Sequence, residues 1–588
     1  MGRLFRQSGS GAQKTEIPAA FVFKDMLKRF EETTDLPSTD FCVVGAGPAG
    51  VALSLALAES GHSVLLVESG NETPDASHQE LGRAHVVNSR THAPIEIASC
   101  RAFGGTSWWW GGRCVPFDSS DFQDRSYAPG TGWPISYEDI QAWHADAAKF
   151  FACGSGDFEK DPGNWTQLSQ TTIKQLERWT PNVNLRMAYI DEMQNSEAIT
   201  LLLGATLREI HLAEGTGQLR AITLADYKTS RTINVQTCIL ACGGLETTRI
   251  MLLLAQSYPS VSQRWASTLG RFYMGHISGK IADLVLRDPR TIAELDFFVD
   301  GDHFARRRFT LQKDTLRNEQ LLNIAFWADN PPFHDAKHRN GLLSAVWLLL
   351  AIPFIGRRLL SEGVRVSHVG PSPFQIAGHL SNLVKSPFSV IWSAMQLLRD
   401  RYLCSPRKPG FIIRNNAGRY ALHYHAEQLP TESSFVSLAT DKDSLGVQRL
   451  VVDFNYCELD ATSVVRAHDI LDRSLREANV GYLEYRTSRD ALVSSVMAQA
   501  SDGFHQLGTT RMSKDANSGV VDENCKVHGL DNLFLLSSSV FPSSGQANPT
   551  FQIVAFAFRL ASYLTAQFDR TQSSVQHFDR QIGSVRCE

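Results

Sequence analysis

The sequence predicts an α/β fold built around a doubly wound sheet, with a second domain attached to it. Residues 41–67 read as a strand, a glycine turn, a helix and a second strand, which is the order of a βαβ unit. The chain has 588 residues. This is more than one hydrophobic core usually serves, so we expect two domains, or one domain with a large insertion.

The composition indicates a globular protein whose partner is a small molecule. Hydrophobic residues make up 43% of the chain and charged residues 20%, and the formal net charge is -4. We find no long basic or acidic block, so nucleic acid is not an expected partner. The ten cysteines are scattered without the paired spacing of a zinc site, and a chain of this length needs no disulfides. Reduced thiols and a cytoplasmic location are therefore expected.

We expect no signal peptide and no transmembrane span. The first residues lack the apolar core of a signal peptide, and residues 1–37 are interpreted as an N-terminal extension. The longest apolar run, residues 342–355, contains Pro353 and is shorter than the ~20 residues that cross a bilayer. A buried helix is the favoured interpretation. Arg357 and Arg358, which follow the run, leave an interfacial membrane anchor as the alternative.

The stretch DFCVVGAGPAGVALSLALAESGHSVLLVESG, which starts at Asp40, predicts half of a dinucleotide site. Gly45, Gly47 and Gly50 form a G-x-G-x-x-G turn between the first strand and the helix. This turn lets the backbone approach a pyrophosphate, and the helix N-terminus attracts the phosphates. Glu68 lies at the tip of the second strand, where it can accept hydrogen bonds from a ribose diol. The same unit serves FAD and NAD, so it does not choose between them.

The C-terminal part of the chain carries a second set of motifs. Residues 505–512 read HQLGTTRM, and Asn548 is followed by Pro549 and Thr550 at a predicted helix start. Proline suits the first helical position, and the segment after it is apolar on nearly every side. We therefore expect a buried helix whose positive N-terminal end points at a bound group.

Taken together, these segments resemble the glucose-methanol-choline (GMC) family of FAD oxidoreductases. The resemblance rests on motifs in family order between about residue 38 and residue 566. They are the glycine turn with Glu68, RAFGGTSWWWGG from Arg101, CILACGGLETTRIM from Cys238, LGRFYMGH from Leu269, HAEQLP from His425, HQLGTTRM from His505 and SSSVFPSSGQANPT from Ser537. Within the family, the chain looks most similar to the branch of pyranose oxidases, fructose and gluconate dehydrogenases and glycoside 3-dehydrogenases.

The resemblance implies a Rossmann-like FAD-binding domain and an α+β substrate domain with a large antiparallel sheet. The implied segments are residues 38–118, 195–275 and 497–566 for the FAD-binding domain, 119–194 and 276–496 for the substrate domain, and 567–588 for a C-terminal tail. Residues 340–405 are the least typical part and suit an enlarged lid or a lipophilic entrance.

By the same resemblance, His505 and Asn548 are the catalytic pair. Histidine titrates near neutral pH and suits removal of a hydroxyl proton, while the flavin accepts a hydride. Asn548 would orient the substrate carbon. The alternatives are a structural histidine and a helix N-cap role for Asn548. His423 and His425 would share one face of a predicted strand, which suits a substrate wall or a hydrogen-bonded strand face.

The loop GGTSWWWGG, residues 104–112, packs against the isoalloxazine ring in the branch that the chain resembles. Several members of that branch carry a histidine bonded covalently to the flavin, at the position that Trp109 holds here. An indole cannot form that bond, so the resemblance implies dissociable FAD. The tryptophans would supply flat apolar surface around the ring, or would fill the domain junction instead.

The predicted cofactor contacts come from both ends of the chain, and no metal site is expected. They are Gly45, Ala46, Gly47, Pro48, Ala49, Gly50, Glu68, Ser69, Arg101, Gly104, Gly105, Thr106, Trp109, Trp110, Gly111, Gly112, Leu207, Ala241, Gly243, Ser539, Asn548, Pro549 and Thr550. Ser537 and Ser538 are further candidates for hydrogen bonds to the pyrophosphate.

The function that the resemblance implies is oxidation of a CH–OH group to a carbonyl, on a sugar, a glycoside or a similar polyhydroxylated natural product. Two alternatives stay open: a lyase or decarboxylase on the same flavin scaffold, and an electron-transferring subunit of a dehydrogenase complex. No motif distinguishes O2 from another electron acceptor, and we find no haem-attachment motif.

Overall fold

The computed structural model describes residues 27–585 apart from residues 34, 166, 360–367, 371, 386, 400–402 and 404–407. Most of the predicted N-terminal extension lies outside the described residues. The strands are β1 Leu27–Arg29, β2 Phe41–Val44, β3 Val64–Val67, β4 Ala84–Val86, β5 Arg113–Cys114, β6 Thr171–Thr172, β7 Leu176–Trp179, β8 Ile199–Leu203, β9 Thr206–Leu212, β10 Leu219–Ala225, β11 Ser230–Asn234, β12 Thr237–Leu240, β13 His276–Leu286, β14 Phe298–Asp300, β15 His303–Arg307, β16 Phe309–Leu311, β17 Ile324–Asp329, β18 Arg419–Glu427, β19 Phe435–Lys442, β20 Gln448–Asp453, β21 Gly481–Tyr485 and β22 Leu533–Leu535.

The helices of the described residues alternate with these strands. They are α1 Pro48–Glu59, α2 Ala76–Glu80, α3 Ile95–Ala98, α4 Glu138–Gln141, α5 His144–Phe150, α6 Leu185–Asn195, α7 Gly244–Ser257, α8 Pro259–Ser262, α9 Ile292–Leu295, α10 Lys313–Asn318, α11 Gly341–Ala351, α12 Pro353–Leu359, α13 Ile376–Lys385, α14 Pro387–Leu398, α15 Glu458–Glu477, α16 Leu492–Gln499 and α17 Pro549–Val585.

The first sheet is parallel throughout, in the order β1-β8-β3-β2-β12-β22. Its central strands β2 and β3 are buried at every residue. Helices cover both faces of such a sheet, which explains why these strands read as continuous apolar runs rather than alternating ones. The edge strand β1 lies within the segment that the sequence analysis interpreted as an N-terminal extension. It was not predicted, because that segment has no strong strand pattern of its own.

The second large sheet is antiparallel, in the order β21-β13-β18-β17-β16-β6. Helix α15 packs against β21 and α16, and its apolar face joins the core of this sheet. The predicted α/β fold, with a doubly wound sheet and an α+β part built on an antiparallel sheet, is confirmed. Three smaller sheets complete the fold: β11-β10-β9, β14-β15-β7-β5 and β19-β20-β4.

The long C-terminal helix α17 lies next to an early part of the chain. It begins at Pro549, packs against α1, and is buried along most of residues 549–564. Since α1 follows the glycine turn, this contact brings both predicted halves of the nucleotide site together. The helix also continues through most of the segment that the sequence assigned to a C-terminal tail.

Helices α11 to α14 form a separate group above a small apolar core that includes Leu342, Leu343 and Ile413. The prediction of one buried helix over residues 342–355 is only partly right. The run divides into α11 and α12 at Pro353, and the side chains of Leu349, Ile352 and Phe354 are exposed. Among the described residues, no helix is both long enough and apolar enough to cross a membrane.

Candidate active site

A large open cleft lies where the parallel sheet meets the N-termini of α1, α7 and α17. Its volume is ≈ 1420 Å³, counted to the open mouth. The predicted cofactor residues that line it are Gly45, Gly47, Pro48, Ala49, Glu68, Ser69, Arg101, Gly105, Thr106, Leu207, Ala241, Gly243, Pro549 and Thr550. The carboxyl ends of the parallel strands and three helix N-termini therefore converge on one space, which is the expected location for a phosphate-containing ligand.

The glycines of this cofactor cleft are required by close backbone contacts. Gly45 has a φ of +105°, and a Cβ there would lie 2.5 Å from the carbonyl oxygen of Ala241. A Cβ on Gly50 would lie 1.8 Å from the carbonyl oxygen of Gly45, so helix and turn cannot separate to admit one. Gly105 approaches Gly47 in the same way, with a Cβ distance of 2.8 Å to the Cα of Gly47. Backbone packing therefore fixes the conformation of the turn at these glycines.

Glu68 lies beside the glycine turn, directly after β3. Its Oε2 accepts a hydrogen bond from the backbone N–H of Ala46 at 2.9 Å, and its Oε1 accepts one from Gly70 at 2.8 Å. Burial raises the pKa of the Glu68 carboxyl, while the two N–H donors and Arg101 oppose that rise. A carboxylate oxygen accepts more than one hydrogen bond, so Glu68 keeps the capacity to bind a ribose hydroxyl in the cleft.

Arg101 links three segments that line the cofactor cleft: its own loop, the segment after β3 and helix α7. Its Nη2 lies 2.7 Å from a carboxylate oxygen of Glu246 on α7, and its Nη1 donates to the hydroxyl of Ser69 at 2.9 Å. The hydroxyl of Ser69 in turn lies 2.8 Å from that of Thr206 on β9. Glu246 lies two residues after CGG in the sequence, and its contact with Arg101 was not predicted. The signal that could have identified it is an acidic residue in the first turn of a predicted helix, where a carboxylate is favourable and can pair with an arginine.

Some predicted cofactor residues lie beside the cleft rather than on its wall. These are Ala46, Gly50, Gly104, Trp109, Trp110, Gly111, Gly112, Ser539 and Asn548. Ser539 differs most from expectation, because its hydroxyl is buried against Ser537 and lies 2.6 Å from that of Thr510. Its neighbours Ser537 and Ser538 line the cleft instead.

The three tryptophans of the glycine loop have different surroundings. The indole N–H of Trp108 donates to the carbonyl of Phe103 at 2.9 Å, which closes the loop on itself. Trp110 packs on Phe151 with ring centroids 5.4 Å apart. Trp109 is the most exposed of the three, at 49%. Trp110 therefore contributes to the packing of the loop, whereas Trp109 alone presents its ring to open space.

His505 and Asn548 are brought together at the end of the cofactor cleft. The Nε2 of His505 lies 2.8 Å from the Nδ2 of Asn548, although the two residues belong to different elements. The residues on either side of His505, Phe504 and Gln506, line the cleft, as does Pro549. The Oδ1 of Asn548 is buried without a hydrogen-bond partner among the described residues. The side chain is therefore not engaged as a helix cap, and its free acceptor points to a ligand that completes the site.

The hydrogen bonds around His505 select one tautomer. Its Nδ1 lies 2.8 Å from the Oδ2 of Asp502. Burial alone would raise the pKa of Asp502, but His505 and His276 hold it well below its ordinary value, so the carboxyl is ionised. An ionised carboxylate only accepts hydrogen bonds, so Nδ1 carries the proton and Nε2 keeps its lone pair. That lone pair faces the amide of Asn548.

Two further histidines lie against His505. His276, the first residue of β13, lies opposite Glu427 and therefore diagonal to His425 on β18. Their rings stack at 4.2 Å, and the Nδ1 of His276 lies 3.0 Å from that of His505. Burial lowers the pKa of His276 although Asp502 opposes it, and burial with the neighbouring histidines lowers the pKa of His425 well below 6.5. Both imidazoles are therefore neutral.

The three imidazoles also match the spacing of a metal site, since one nitrogen of each lies within 4.8 Å of the others. Their hydrogen bonds explain the spacing without a metal. The Nε2 of His276 lies 3.2 Å from the carbonyl of Ser544, and the Nδ1 of His425 lies 2.7 Å from that of Gln546. The geometry is that of a hydrogen-bonded cluster, in which backbone carbonyls orient His276 and His425 and the Asp502 carboxylate orients His505.

Sequence reasoning found only part of this histidine cluster. His425 was a candidate and His276 stood in a motif without a role, while Asp502 was not identified. The signal for Asp502 was its spacing, because an acid three residues before a histidine can reach the ring within one turn. The signal for His276 requires the pairing of β13 with β18, which the sequence does not contain.

Two family models match the chain. A model described as an FAD binding domain matches residues 38–97, and a model described as GMC oxidoreductase matches residues 430–557. The chain is 22% identical over 91% of its length to a 2-methyl-1,2-propanediol dehydrogenase from Mycolicibacterium austroafricanum, of which the match covers 97%. It is 31% identical over 23% of its length to a 6'''-hydroxyparomomycin C oxidase from Streptomyces lividus, of which the match covers 24%.

The fold has a solved counterpart in an FAD-dependent oxidoreductase from Chaetomium thermophilum. The likeness covers 90% of this chain and 100% of that chain, with 14% sequence identity and a TM-score of 0.51. The matched models and the named relatives together show an FAD-dependent oxidoreductase that acts on alcohols. The expected resemblance to the GMC oxidoreductase family is confirmed, because residues 430–557 match the model of that family.

The residues of the chain fit FAD. A Cβ on Gly47 would meet only the Cα of Gly105, at 3.9 Å, so the backbone there is open to a pyrophosphate, and the unpartnered Oδ1 of Asn548 lies at the end of the cleft. Gly45, Gly47 and the N-terminus of α17 would hold the pyrophosphate, and Glu68 the ribose.

Proposed function

We propose that the protein oxidises a CH–OH group of a sugar, a glycoside or a similar polyhydroxylated compound to a carbonyl, with His505 as the base. The observation that carries the proposal is the contact of 2.8 Å between His505 Nε2 and Asn548 Nδ2 beside the cofactor cleft. Asp502 on the far side of the ring accepts the hydrogen bond from Nδ1, so the neutral imidazole has its lone pair at Nε2. A lone pair next to an amide is the arrangement that a general base and an orienting group require.

The proton is the part of the reaction that the chain's own residues handle. A substrate hydroxyl that replaces the Asn548 amide at His505 Nε2 would donate its proton there, and the unpartnered Oδ1 of Asn548 would accept a second hydroxyl or a water. Asp502 then stabilises the imidazolium. FAD, when bound, supplies the acceptor for the hydride that leaves the same carbon.

The polar surroundings support a hydroxylated substrate. The face of the antiparallel sheet beside His505 carries His425 and His423, and Trp327 stacks on His423 with ring centroids 4.5 Å apart. Aromatic planes beside hydrogen-bonding side chains suit the mixed apolar and polar faces of a sugar. One relative is named for a diol and another for a hydroxyparomomycin, which also supports a substrate with several hydroxyl groups.

The test begins with the flavin spectrum of the purified holoenzyme. Polyols and glycosides are screened for anaerobic bleaching of the flavin, and peroxide is measured in air to separate an oxidase from a dehydrogenase. His505→Ala should lower the rate of bleaching by a substrate at least ~100-fold while FAD stays bound. His303→Ala is the control, since His303 lies on β15 and does not line the cleft. Unchanged turnover in His505→Ala would reject the assignment of the base.

We also propose that FAD is held without a covalent bond, because Trp109 stands where related proteins have the histidine that forms it. Acid precipitation should release all of the flavin into the supernatant. Flavin that stays with the precipitated chain would contradict this part of the proposal.

A cytoplasmic location belongs to the same proposal. The eight cysteines in the described part of the chain are free, and most of them are buried. Protein that is alkylated during cell lysis should therefore carry the label on its cysteines after denaturation. Recovery of disulfide-linked peptides would count against a reducing compartment.

A further inference from the structure

Exposed apolar side chains are concentrated in the helices α11 to α14. Of the twenty large hydrophobic residues that are exposed among those described, eleven lie between residues 349 and 403. They are Leu349, Ile352, Phe354, Phe374, Ile376, Leu380, Val384, Ile391, Trp392, Met395 and Leu403. Single exposed apolar residues are common on protein surfaces, but a concentration in one short segment marks an interaction surface.

Helix α13 shows that this surface is organised rather than accidental, because its polarity is inverted. Ile376, Leu380 and Val384 recur every fourth residue and face outward, with Val384 80% exposed. The buried face instead carries His379 and Asn382. An amphipathic helix that served only its own core would have the opposite arrangement.

The polar inner face of α13 contacts α11 and the segment that precedes it, where the carbonyls of His334 and Ala336 bond His379 and Asn382. His379 Nδ1 lies 3.1 Å from the hydroxyl of Ser344, and the amide of Asn382 donates to the same hydroxyl at 3.1 Å. The ring of Trp347 stacks on His379 at 4.0 Å. These contacts fix the rotation of α13, so its apolar stripe is held towards the outside.

Helix α14 adds to the same surface. Val390 and Ala394 pack on the small core beneath the group, while Ile391, Trp392 and Met395 face outward. Trp392 is 61% exposed, and Phe354 on the neighbouring α12 is 67% exposed. α11 packs against α12, α13 and α14, so the outward residues belong to one assembly of helices.

The charges in this segment indicate which kind of partner the exposed apolar surface binds. Residues 341–408 contain eight Lys or Arg and two Asp or Glu, in a chain whose net charge is -4. Helices α11 to α14 contain no acidic residue at all. Basic residues beside exposed Trp, Phe, Ile and Val are the composition of helices that lie in the interface of an anionic membrane.

We propose that helices α11 to α14 dock the enzyme on the surface of a membrane that contains anionic phospholipids. The apolar stripes of α13 and α14 enter the boundary between headgroups and acyl chains, and the exposed Lys385 in the last turn of α13 contacts the phosphates. No helix of the described residues spans the bilayer, so the enzyme is held at the surface.

Sedimentation of the full-length holoenzyme with vesicles tests the proposal. The protein should bind vesicles of phosphatidylcholine mixed with phosphatidylglycerol, bind phosphatidylcholine vesicles more weakly, and dissociate as NaCl is added. Val384→Glu and Trp392→Glu should each weaken binding at least about tenfold, since each removes one inserted side chain and adds a repelled charge. Both side chains are exposed, so flavin content and melting temperature should not change.

The matched control is Leu459→Glu, the same kind of change at an exposed residue of α15. It should bind vesicles like the unmodified protein. Failure to bind anionic vesicles, or equal loss in all three variants, would overturn the proposal. A dimer that Val384→Glu dissociates in light scattering, without vesicle binding by the unmodified protein, would assign the surface to a second copy of the chain and would also overturn it.

Discussion

The cofactor cleft and the histidine cluster lie side by side, but they are built by different means. The cleft is made of backbone: glycines that admit no Cβ, helix N-termini and a few side chains that tie walls together. The cluster is made of side chains from three distant segments, each oriented by one hydrogen bond to a carbonyl or a carboxylate. The first therefore depends on local sequence, and the second depends on the tertiary fold.

This difference predicts separate failures. A change in the cleft should remove FAD and with it all activity, whereas a change in the cluster should impair the chemistry and leave FAD in place. If changes in the cleft and changes in the histidine cluster both removed FAD, the cleft and the cluster would be energetically coupled.

The largest effect is expected for Gly50→Ala. The new Cβ would lie 1.8 Å from the carbonyl oxygen of Gly45, so the glycine turn that is proposed to hold the pyrophosphate must distort. We expect protein purified without a flavin absorption band and without activity. The control is Gly132→Ala, because no atom lies within 4 Å of a Cβ at that position. Stoichiometric flavin in Gly50→Ala would show that the turn does not hold the cofactor.

A smaller effect is expected for Asp502→Asn, which tests Asp502 as a positioning residue. The neutral amide no longer requires a proton on Nδ1 of His505, so the tautomer with a free Nε2 loses its preference. The value of kcat should fall at least about tenfold while KM and the flavin spectrum change little. Asp502→Glu should recover part of the rate. Loss of flavin from Asp502→Asn would instead indicate a structural role.

The smallest effect concerns stability against pH. His425 is neutral in the folded chain because burial lowers its pKa well below 6.5, whereas the unfolded chain binds the proton near that value. Below pH 6.5 the unfolded state therefore takes up more protons, and stability falls as the pH falls. His425→Gln should reduce this slope by at most about 1.4 kcal/mol per pH unit. The measurement is the thermal unfolding midpoint between about pH 5 and 7, and parallel slopes for both proteins would contradict the neutral state of His425.

The sequence predicted the cleft well because its requirements are local. The spacing of Gly45, Gly47 and Gly50 and the acid at Glu68 are read directly from one βαβ unit, and Pro549 marks the start of α17. Gly45, Gly47, Glu68 and Pro549 line one cleft in the structure, and Gly50 lies beside it. The tie from Arg101 to Glu246 was missed, because that contact joins two motifs whose relative position only the folded sheet defines.

The histidine cluster and the orientation of helices α11 to α14 could not be predicted from local sequence patterns. His276 reaches His505 only through the register of β13 on β18, and no periodicity encodes a register between strands so far apart in sequence. In residues 342–355, hydrophobicity alone predicted burial, but hydrophobicity does not state which side of a helix faces the core. The polar residues Ser344 and His379, which decide that orientation, lie on two different helices.

The position of α17 has a consequence for how the enzyme is made. The strand β22 and the start of α17 are translated long after the glycine turn, yet both border the same cleft. During synthesis the first βαβ unit leaves the ribosome early, and the apolar surface that α17 covers in the folded protein stays exposed until α17 has been translated. Nascent chains should thus depend on chaperones until translation is nearly finished, and the flavin can be enclosed only as a post-translational event.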